Sequence, residues 1–399
     1  MTSTVHKAPK TPGPPTPAES FGRFQLVERI GKGGMAEVFK AVASGLSGFE
    51  RAFVIKRIRP DRSDSPKFVQ MFCEEARITS LLHHPSIVRV FEFGQIDGAY
   101  FMVMEHLVGR DVSTVMRALR ARRDAMPPSL AAFVARQVAR ALDHAHTLVL
   151  PDGSPGGIIH RDVTPSNIML LESGGVKILD FGIARAAARA RAQGEPGRAP
   201  RLAGKLSYMS PELVRGQPID HRTDLFSLGV VLWEMVAGER LFAADDDSET
   251  LRNVLTKPIA EPSRRRDGVP AMLDAIVAKA VERDPAARYQ SAAELADALD
   301  RFLIEMPAAE QAVPKLLEEA FSAPTASRPA ETNENPSTTY LTNGTAPGPG
   351  APPRGTGSRA FYRTIPPPRA PRVPLVGLIG IFAFVVAVVV TVGRFLMRR

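Results

Sequence analysis

Cysteine is almost absent from this chain, because its 399 residues include only Cys73. A single cysteine cannot form an internal disulfide framework, so the sequence suits a reducing compartment. A catalytic thiol is not favoured either, since Glu74 and Glu75 follow Cys73 in a predicted helix and adjacent carboxylates raise the pKa of a thiol. Cys73 is therefore interpreted as a packing residue.

Metal-ligand spacing is also missing, because the eight histidines show no pattern that zinc sites use. His83 and His84 stand before Pro85 and indicate the end of a helix. The formal net charge of +9 invites a nucleic-acid interpretation, but no reading motif accompanies it. Much of the excess lies in residues 185–201 and beside a C-terminal apolar run, so phosphate and membrane partners explain it more economically than nucleic acid.

The two ends of the chain differ in composition from its middle. Residues 1–20 are rich in proline and have no apolar core, which predicts a disordered arm and excludes a signal peptide. Residues 322–374 are rich in Pro, Gly, Ser, Thr and Ala, which is linker composition. The sequence thus predicts a folded domain at 21–305, followed at 306–321 by a short helix with Pro314 in its first position.

Within the folded domain, the hydrophobic period changes from about 2 to about 3.6 residues. Strands are predicted over the segments 24–30, 38–41, 52–58, 88–93 and 100–105, with a glycine turn after the first. Helices are predicted over the segments 68–82, 112–122, 129–146, 225–237, 272–282 and 292–304. The fold class is therefore α+β, with a small sheet and one long helix first and a mainly α second part.

Three short motifs follow one another in the second part. His160-Arg161-Asp162 is followed by Asn167, then by Asp180-Phe181-Gly182, and finally by Ser210-Pro211-Glu212. In this order they resemble the signature motifs of the protein kinase family, H-R-D, Asn, D-F-G and A-P-E. The resemblance covers roughly 24–304 and is nearest to the bacterial serine/threonine kinases. It implies the bilobal kinase fold, with an N-lobe at 21–107 and a C-lobe at 108–305.

The resemblance also implies a site for ATP and Mg²⁺ and a protein substrate. Lys56 matches the lysine that binds the α and β phosphates, and Glu75 matches its ion-pair partner. Asp162 matches the base that accepts the proton of the substrate hydroxyl, and Asn167 and Asp180 match the magnesium ligands. The residues expected to form the nucleotide pocket are Ile30, Gly31, Lys32, Gly33, Gly34, Val38, Val54, Lys56, Glu75, Met104, Glu105, Leu107 and Met169.

Two residues with structural roles complete the resemblance. Asp224 matches the aspartate that braces the catalytic loop, and Arg288 matches the partner of Glu212.

Two positions near the catalytic aspartate depart from the serine/threonine kinases. Thr164 stands where they usually have lysine, and Lys205 stands where they usually have threonine. The first departure weakens the serine/threonine assignment, since tyrosine kinases also lack that lysine, but the compensating arginines of that branch are absent after Asp162. We expect the two departures to be one exchange, in which Lys205 carries the missing charge to Asp162 and Thr164 supplies the hydroxyl. Both are therefore candidate catalytic residues.

The segment between the second and third motifs contains no phosphorylation acceptor. Residues 183–206 include no serine, threonine or tyrosine, so the phosphate that orders this loop in many relatives through the H-R-D arginine, here Arg161, cannot be added within it. The sequence predicts a phosphorylation-independent kinase. The alternative is a pseudokinase that acts as a membrane-bound signalling scaffold, as suggested by Thr164.

A long apolar run lies near the C-terminus. Leu375 to Gly393 contains no charged residue and is long enough to cross a bilayer core of about 30 Å as a helix. A buried core helix is the alternative, but a run behind a linker has no evident packing partner. The flanking arginines are more numerous before it than in the basic tail 394–399, which predicts a single-pass anchor in the inner membrane with the kinase domain on the cytoplasmic side.

Overall fold

The computed structural model describes residues 19–44, 50–181, 205–308 and 312–321, all within one unit, Met1–Arg328. The arm up to residue 18, Gly182 with the rest of 183–204, the linker 322–374, the anchor 375–393 and the tail 394–399 lie outside these residues. Within the described ranges no helix has the length and apolar character needed to cross a membrane.

The first lobe is a six-stranded antiparallel sheet with the strand order β1-β2-β3-β4-β6-β5. Its strands are β1 (Glu19–Phe21), β2 (Phe24–Lys32), β3 (Ala36–Ser44), β4 (Glu50–Ile58), β5 (Val90–Ile96) and β6 (Ala99–Glu105). Two helices follow β4, namely α1 (Pro60–Ser63) and α2 (Pro66–Leu81). β1 and α1 were not predicted from the sequence because each is only three or four residues long, too short to show a hydrophobic period.

Opposite faces of this sheet bury different side chains, as strand alternation requires. Phe101 and Val103 of β6 point into a cluster with Phe24. Met102 and Met104 point the other way and pack against α2. Helix α2 begins two residues before the predicted start because Pro66, whose ring fixes φ and which needs no N–H partner there, occupies its first position.

The second lobe is mainly helical and carries a small antiparallel sheet in the order β7-β8-β9. The strands are β7 (Gly109–Asp111), β8 (Ile168–Leu171) and β9 (Val176–Ile178). The helices are α3 (Val112–Ala121), α4 (Pro128–His146), α5 (Pro211–Val214), α6 (Arg222–Ala237), α7 (Asp247–Thr256), α8 (Ala271–Ala280), α9 (Ala292–Glu305) and α10 (Ala312–Phe321).

Helix α6 is the centre of this lobe, because every residue from Thr223 to Val236 is buried. The small sheet, α5 and α7 were not predicted from the sequence. The three strands and α5 are only three or four residues long. Helix α7 buries only Thr250 and Val254, so its sequence shows no clear helical period of apolar residues.

The predicted final helix exists, but its limits and its attachment differ from expectation. It is described from Ala312, so Pro314 is its third residue rather than its first. Its buried residues Val313, Leu316 and Leu317 belong to the same apolar core as α4 and α6. The folded body therefore extends beyond the predicted boundary at residue 305.

Candidate active site

One buried lysine joins the two lobes at the predicted phosphate site. The Nζ of Lys56, on β4, lies 2.5 Å from Oε1 of Glu75 on α2 and 2.9 Å from Oδ1 of Asp180, which follows β9. Burial opposes the charge of the ammonium group, but the carboxylates of Asp180 and Glu75 outweigh it and raise the pKa of Lys56. The structure thus brings together the three residues that the sequence predicted to meet.

The ionised form of Asp180 is favoured in the same way. Desolvation opposes its charge, but Lys56, with a smaller contribution from Lys205, lowers the pKa of Asp180. The next side chain, Phe181, is fully buried with its ring centroid 4.6 Å from that of His160. Because Phe181 fills the interior, the carboxylate of Asp180 is held on the side of Lys56.

The strand register places the predicted nucleotide residues on neighbouring strands. Val38 of β3 pairs with Lys56, and Val54 of β4 pairs with Met104 of β6. The turn between β2 and β3 is closed by a hydrogen bond of 2.8 Å from the Gly33 N–H to the Ala36 carbonyl. A Cβ at Gly34 would meet no atom within 4 Å, so this turn presents bare backbone to an open space, as close approach of a phosphate requires.

Three further predicted pocket residues are partly or fully exposed around this site. Ile30 is half-exposed near the end of β2. Lys32, the last residue of β2, is exposed and lies 3.8 Å from Glu37 across the turn. Met169 is partly buried on β8, where it pairs with Asp111 and Lys177. These positions are compatible with contacts to the rim of a nucleotide.

The hinge between the lobes is fixed by the side chain of Glu105. Its Oε1 accepts a hydrogen bond of 2.7 Å from the Arg89 N–H and lies 2.7 Å from Nζ of Lys177 on β9. The N–H of Glu105 itself donates to the Arg89 carbonyl at 3.0 Å. Of the two predicted pocket residues at this hinge, Glu105 therefore has its N–H already bonded, while Leu107 lies just beyond β6.

The catalytic loop is held by Asp224, at the start of α6. Its carboxylate accepts hydrogen bonds of 2.8 Å from the N–H groups of both His160 and Arg161. Arg161 has φ of +63°, the left-handed region that non-glycine residues rarely adopt. The two bonds stabilise this strained backbone, so Asp224 has the bracing position that the sequence predicted.

The ring of His160 orders the same loop from the other side. Its Nδ1 accepts from the Asp162 N–H at 3.2 Å, and its Nε2 lies 2.9 Å from the Leu179 carbonyl, to which it donates as a neutral ring. Burial lowers the pKa of His160, which favours that neutral form. His160 therefore ties the catalytic aspartate to the strand that leads to Asp180.

Asn167 and Asp162 form one hydrogen-bonded unit. The side-chain amide of Asn167 donates to the Asp162 carbonyl at 2.8 Å and to its Oδ2 at 2.9 Å. The carbonyl of Asn167 accepts from the Leu179 N–H at 2.8 Å. The oxygen of the Asn167 amide is left for another partner, and oxygen is the ligand that Mg²⁺ prefers.

Lys205 reaches the catalytic aspartate from the segment that follows residue 204. Its Nζ donates to Oδ2 of Asp162 at 3.0 Å. Thr164 is buried, and its hydroxyl lies 3.1 Å from that of Ser166 in its own loop. The Lys205 ammonium group thus lies beside Asp162, as the expected exchange requires. The Thr164 hydroxyl does not bond Lys205 and instead lies within hydrogen-bond distance of Ser166 in the catalytic loop.

A buried polar cluster beneath this segment was missed by the sequence analysis. The Tyr208 hydroxyl donates to Oε2 of Glu234 at 2.8 Å, and Nε of Arg240 lies 3.3 Å from Oε1. Burial, with the nearby Glu234, raises the pKa of Tyr208, so it remains a donor. The sequence signal was Glu234 itself, a lone carboxylate inside the apolar run of α6.

The donor set fits Mg²⁺ held together with the phosphates of ATP. Mg²⁺ usually takes one or two carboxylates and keeps the rest of its shell for water and phosphate oxygens. Asp180 and Asn167 offer one carboxylate and one amide oxygen. In the described part of the chain no group of three or more His, Cys, Asp or Glu side chains could enclose a metal.

The fold and this arrangement define a protein kinase, and the family model for the protein kinase domain matches residues 24–299. The chain belongs to the protein kinase family, whose domains use ATP and Mg²⁺. It is 40% identical over 296 residues to the tyrosine-protein kinase MasK of Myxococcus xanthus (strain DK1622), covering 74% of this chain and 45% of that protein.

A second relative is named a serine/threonine-protein kinase, and a solved structure that matches is named a kinase domain. The chain is 37% identical over 285 residues to the serine/threonine-protein kinase PknB of Mycobacterium tuberculosis (strain ATCC 25618 / H37Rv), covering 70% of this chain and 43% of that protein. The crystal structure of the Mycobacterium tuberculosis PknI kinase domain matches with a TM-score of 0.52 and 25% identity over 72% of this chain and 98% of that one. The chain thus spans less than half the length of the curated relatives.

Proposed function

We propose that this chain is an ATP-dependent kinase that phosphorylates serine or threonine of a cytoplasmic protein. The observation that carries the proposal is the position of Asp162, whose Oδ2 accepts from both Asn167 and Lys205 while Asp180 pairs with Lys56. A carboxylate in that setting can orient and deprotonate a hydroxyl, and the positive groups around it can balance the charge of a phosphoryl group.

Each predicted residue then has one task. Lys56, positioned by Glu75, would bind the α and β phosphates, and Asn167 and Asp180 would hold Mg²⁺. Bound Mg²⁺ neutralises charge that develops on the phosphates. Asp162 would accept the proton of the substrate hydroxyl, and the turn at Gly33 would cover the phosphates with its backbone N–H groups.

Transfer of label from ATP to a generic protein substrate tests the activity. The wild-type chain is expected to label the substrate, and Asp162→Asn to reduce the rate by about three decades. Asp152→Asn is the matched control, since Asp152 lies in an exposed loop and its carboxylate bonds to Ser154 two residues later. A wild-type rate no higher than that of Asp162→Asn would favour the scaffold alternative instead.

We further propose that Lys205 performs the work of the missing catalytic-loop lysine. Its amine bonds Asp162 directly, and the charge from an adjacent ammonium lowers the pKa of Asp180 as well. A cation beside Asp162 would contact the phosphoryl group during its transfer and balance its negative charge. Thr164 would then act through packing and its bond to Ser166.

The choice between serine/threonine and tyrosine rests on the relatives and on Thr164. PknB supports serine/threonine, whereas MasK is named a tyrosine kinase, and Thr164 resembles tyrosine kinases in replacing the lysine. Lys205 restores a lysine beside Asp162 and favours serine/threonine. Phosphoamino-acid analysis of a labelled protein mixture is the test: phosphoserine and phosphothreonine are expected, and phosphotyrosine alone would overturn the assignment.

We also propose that residues 375–393 anchor the kinase in the inner membrane, with the catalytic domain in the cytoplasm. Support comes from the uncharged apolar run and the excess of arginine before it. Deleting residues 375–399 is expected to move the protein to the soluble fraction with its intrinsic activity retained, because a linker separates the two parts. A truncated protein that still sediments with membranes would contradict the anchor.

A further inference from the structure

A cavity in the second lobe is lined by arginines, and one of them contacts a residue of the cleft around Asp162. Its volume is about 520 Å³, and it lies between the α3–α4 connection, the end of α6 and the segment before α8. Five arginines contribute to its lining, together with only two acidic residues, Asp124 and Glu239. These arginines are Arg120, Arg123, Arg240, Arg265 and Arg266.

The walls of this arginine cavity are fixed by backbone contacts. Helix α6 ends at Gly238, where φ is +75° and a Cβ would lie 2.8 Å from the Cβ of Ala125. Nε of Arg120 donates to the Gly238 carbonyl at 2.9 Å, and Nη1 of Arg266 donates to the Met126 carbonyl at 2.7 Å. A ligand would therefore meet guanidinium groups that are already in place, which lowers the entropic cost of binding.

The carboxylate of Glu234 neutralises part of the positive charge of these arginines, but it is not available to a ligand. It is fully buried, its Oε2 accepts from Tyr208, and its Oε1 accepts from the Leu241 N–H at 3.1 Å. Arg240 lies 3.3 Å from the same carboxylate. A basic side chain of a substrate would thus find this carboxylate already occupied.

The other arginines retain capacity for an anion. Arg265 pairs with Glu239 at 3.3 Å and Arg266 with Asp124 at 3.6 Å, and both carboxylates are exposed, so these pairs are weak and can be exchanged. Nη2 of Arg120 is buried with no hydrogen-bond acceptor among the described residues and lies 3.8 Å from Glu234. That nitrogen is out of reach of a ligand, but the Arg120 side chain as a whole is 29% exposed, so its other atoms can face the cavity.

Arg123 adds a positive charge with no counter-ion among the described residues. Its exposed side chain makes no ion pair with any residue in the described ranges, and its backbone has φ of +57°. A non-glycine residue in that conformation is strained, and such strain is often found at binding sites.

The cavity is adjacent to the catalytic centre through Tyr208. The small cleft lined by Asp162, Thr164 and Lys205 also contains Tyr208. The guanidinium carbon of Arg240 lies 5.3 Å from the centroid of the Tyr208 ring, and its Nη2 lies 3.1 Å from the Ser207 hydroxyl. Tyr208 therefore lines the catalytic cleft and, on its other side, contacts Arg240 of the arginine cavity.

We propose that the arginine cavity binds acidic side chains of the protein substrate, so that the kinase selects acceptor residues with carboxylates nearby. This inference rests on the proposed kinase function and names the substrate class. Guanidinium groups bind carboxylates and phosphates with the same paired geometry. An acidic side chain of the substrate would bond Arg120 and Arg123. A second one would take the place of Glu239 and Asp124 as the partner of Arg265 and Arg266.

Direct binding tests the cavity without relying on catalysis. Two fluorescent peptides are compared by anisotropy with the full chain: one has a serine flanked on both sides by glutamates, and the other has glutamines in their place. The glutamate peptide is expected to bind about tenfold tighter, because charge-assisted hydrogen bonds replace neutral ones. The double variant Arg123→Glu with Arg265→Glu should abolish that preference, and added salt should weaken it.

The control is Arg301→Glu, a change of the same charge at an exposed position of α9 outside the cavity, which should leave the preference intact. Kinetics of the two peptides add a second readout: the double variant should raise KM for the glutamate peptide and leave kcat unchanged. A phosphoserine in place of one glutamate measures whether phosphate binds better than carboxylate, and equal or tighter binding supports an anion site.

Equal affinity of the wild-type chain for both peptides would overturn this proposal, as would equal loss with Arg301→Glu. Failure of the kinase function has a different signature, since no protein would then be labelled although the binding preference would persist.

Discussion

Two buried ion pairs in this molecule have the same chemistry but different surroundings. Arg288 and Glu212 meet in the second lobe with two bonds, of 2.8 and 2.7 Å. The remaining N–H groups of Arg288 donate to the carbonyls of Glu282, Arg222 and Arg283. This pair is electrically balanced, and every donor of the guanidinium has an acceptor.

The pair of Lys56 and Glu75 is equally buried but is not balanced. A second carboxylate, Asp180, shares the same ammonium group, so two negative charges face one positive charge. The excess can be removed by binding a cation, and magnesium with ATP supplies one. A buried ion pair with balanced charge and fully bonded donors thus indicates a structural role. A buried group with excess charge indicates a site that binds a ligand of the opposite charge.

Breaking the balanced pair should have the largest effect on stability. Arg288→Met leaves the Glu212 carboxylate buried without its partner, which costs about 3–5 kcal/mol in comparable cases. Urea denaturation should show this loss, and the exposed Arg301→Met should show almost none. Recovery of part of the stability in the double variant Arg288→Met with Glu212→Leu would confirm that the unpaired charge is the cause.

Breaking the unbalanced group should instead remove activity. Asp180→Asn takes away the excess negative charge, so phosphate transfer should fall by about three decades, while the melting temperature stays near that of the wild type. Steady-state kinetics over a range of magnesium concentrations measure the effect. An Asp180→Asn enzyme that works near the wild-type rate would contradict the assignment of the magnesium ligand.

Lys205 and Asp162 lie between these extremes, since this ion pair is only partly buried. Lys205→Ala should lower kcat by about tenfold to several hundredfold, because a charge near the phosphate is lost. The exposed Lys315→Ala is the control. The double change Thr164→Lys with Lys205→Thr should recover part of the rate, and an undiminished Lys205→Ala enzyme would rule out the exchange.

The smallest effect is expected from removing phosphate groups. Residues 183–206 offer no hydroxyl acceptor, so treatment of the purified kinase with a phosphatase should leave its rate unchanged. Ser207 and Ser210 are both buried, which keeps them from modifying enzymes in this conformation. A large loss of activity traced to either serine would overturn this expectation.

The sequence was informative where function restricts several residues in a fixed order. The motifs around Asp162 and Asp180 identified the residues that meet in space, and the departure at Thr164 led to the contact made by Lys205. Helices and strands that carry neither such a motif nor a clear hydrophobic period were not predictable. Helix α7 buries too few apolar residues to show a period, and β7, β8 and β9 pair through backbone groups that leave little sequence pattern. Tyr208 and Glu234 lie 26 positions apart, a pairing that only the folded chain reveals.

Helix α10 has a practical consequence for preparing the protein. Its apolar face covers the second lobe, Arg122 donates to the Glu319 carbonyl, and Arg110 stacks on Phe321 at 5.5 Å. The family match ends at residue 299, so a fragment cut there loses this cover and exposes the apolar surface beneath Val313 and Leu316. Exposed patches of that kind promote aggregation, and a soluble catalytic fragment should therefore extend at least to Phe321.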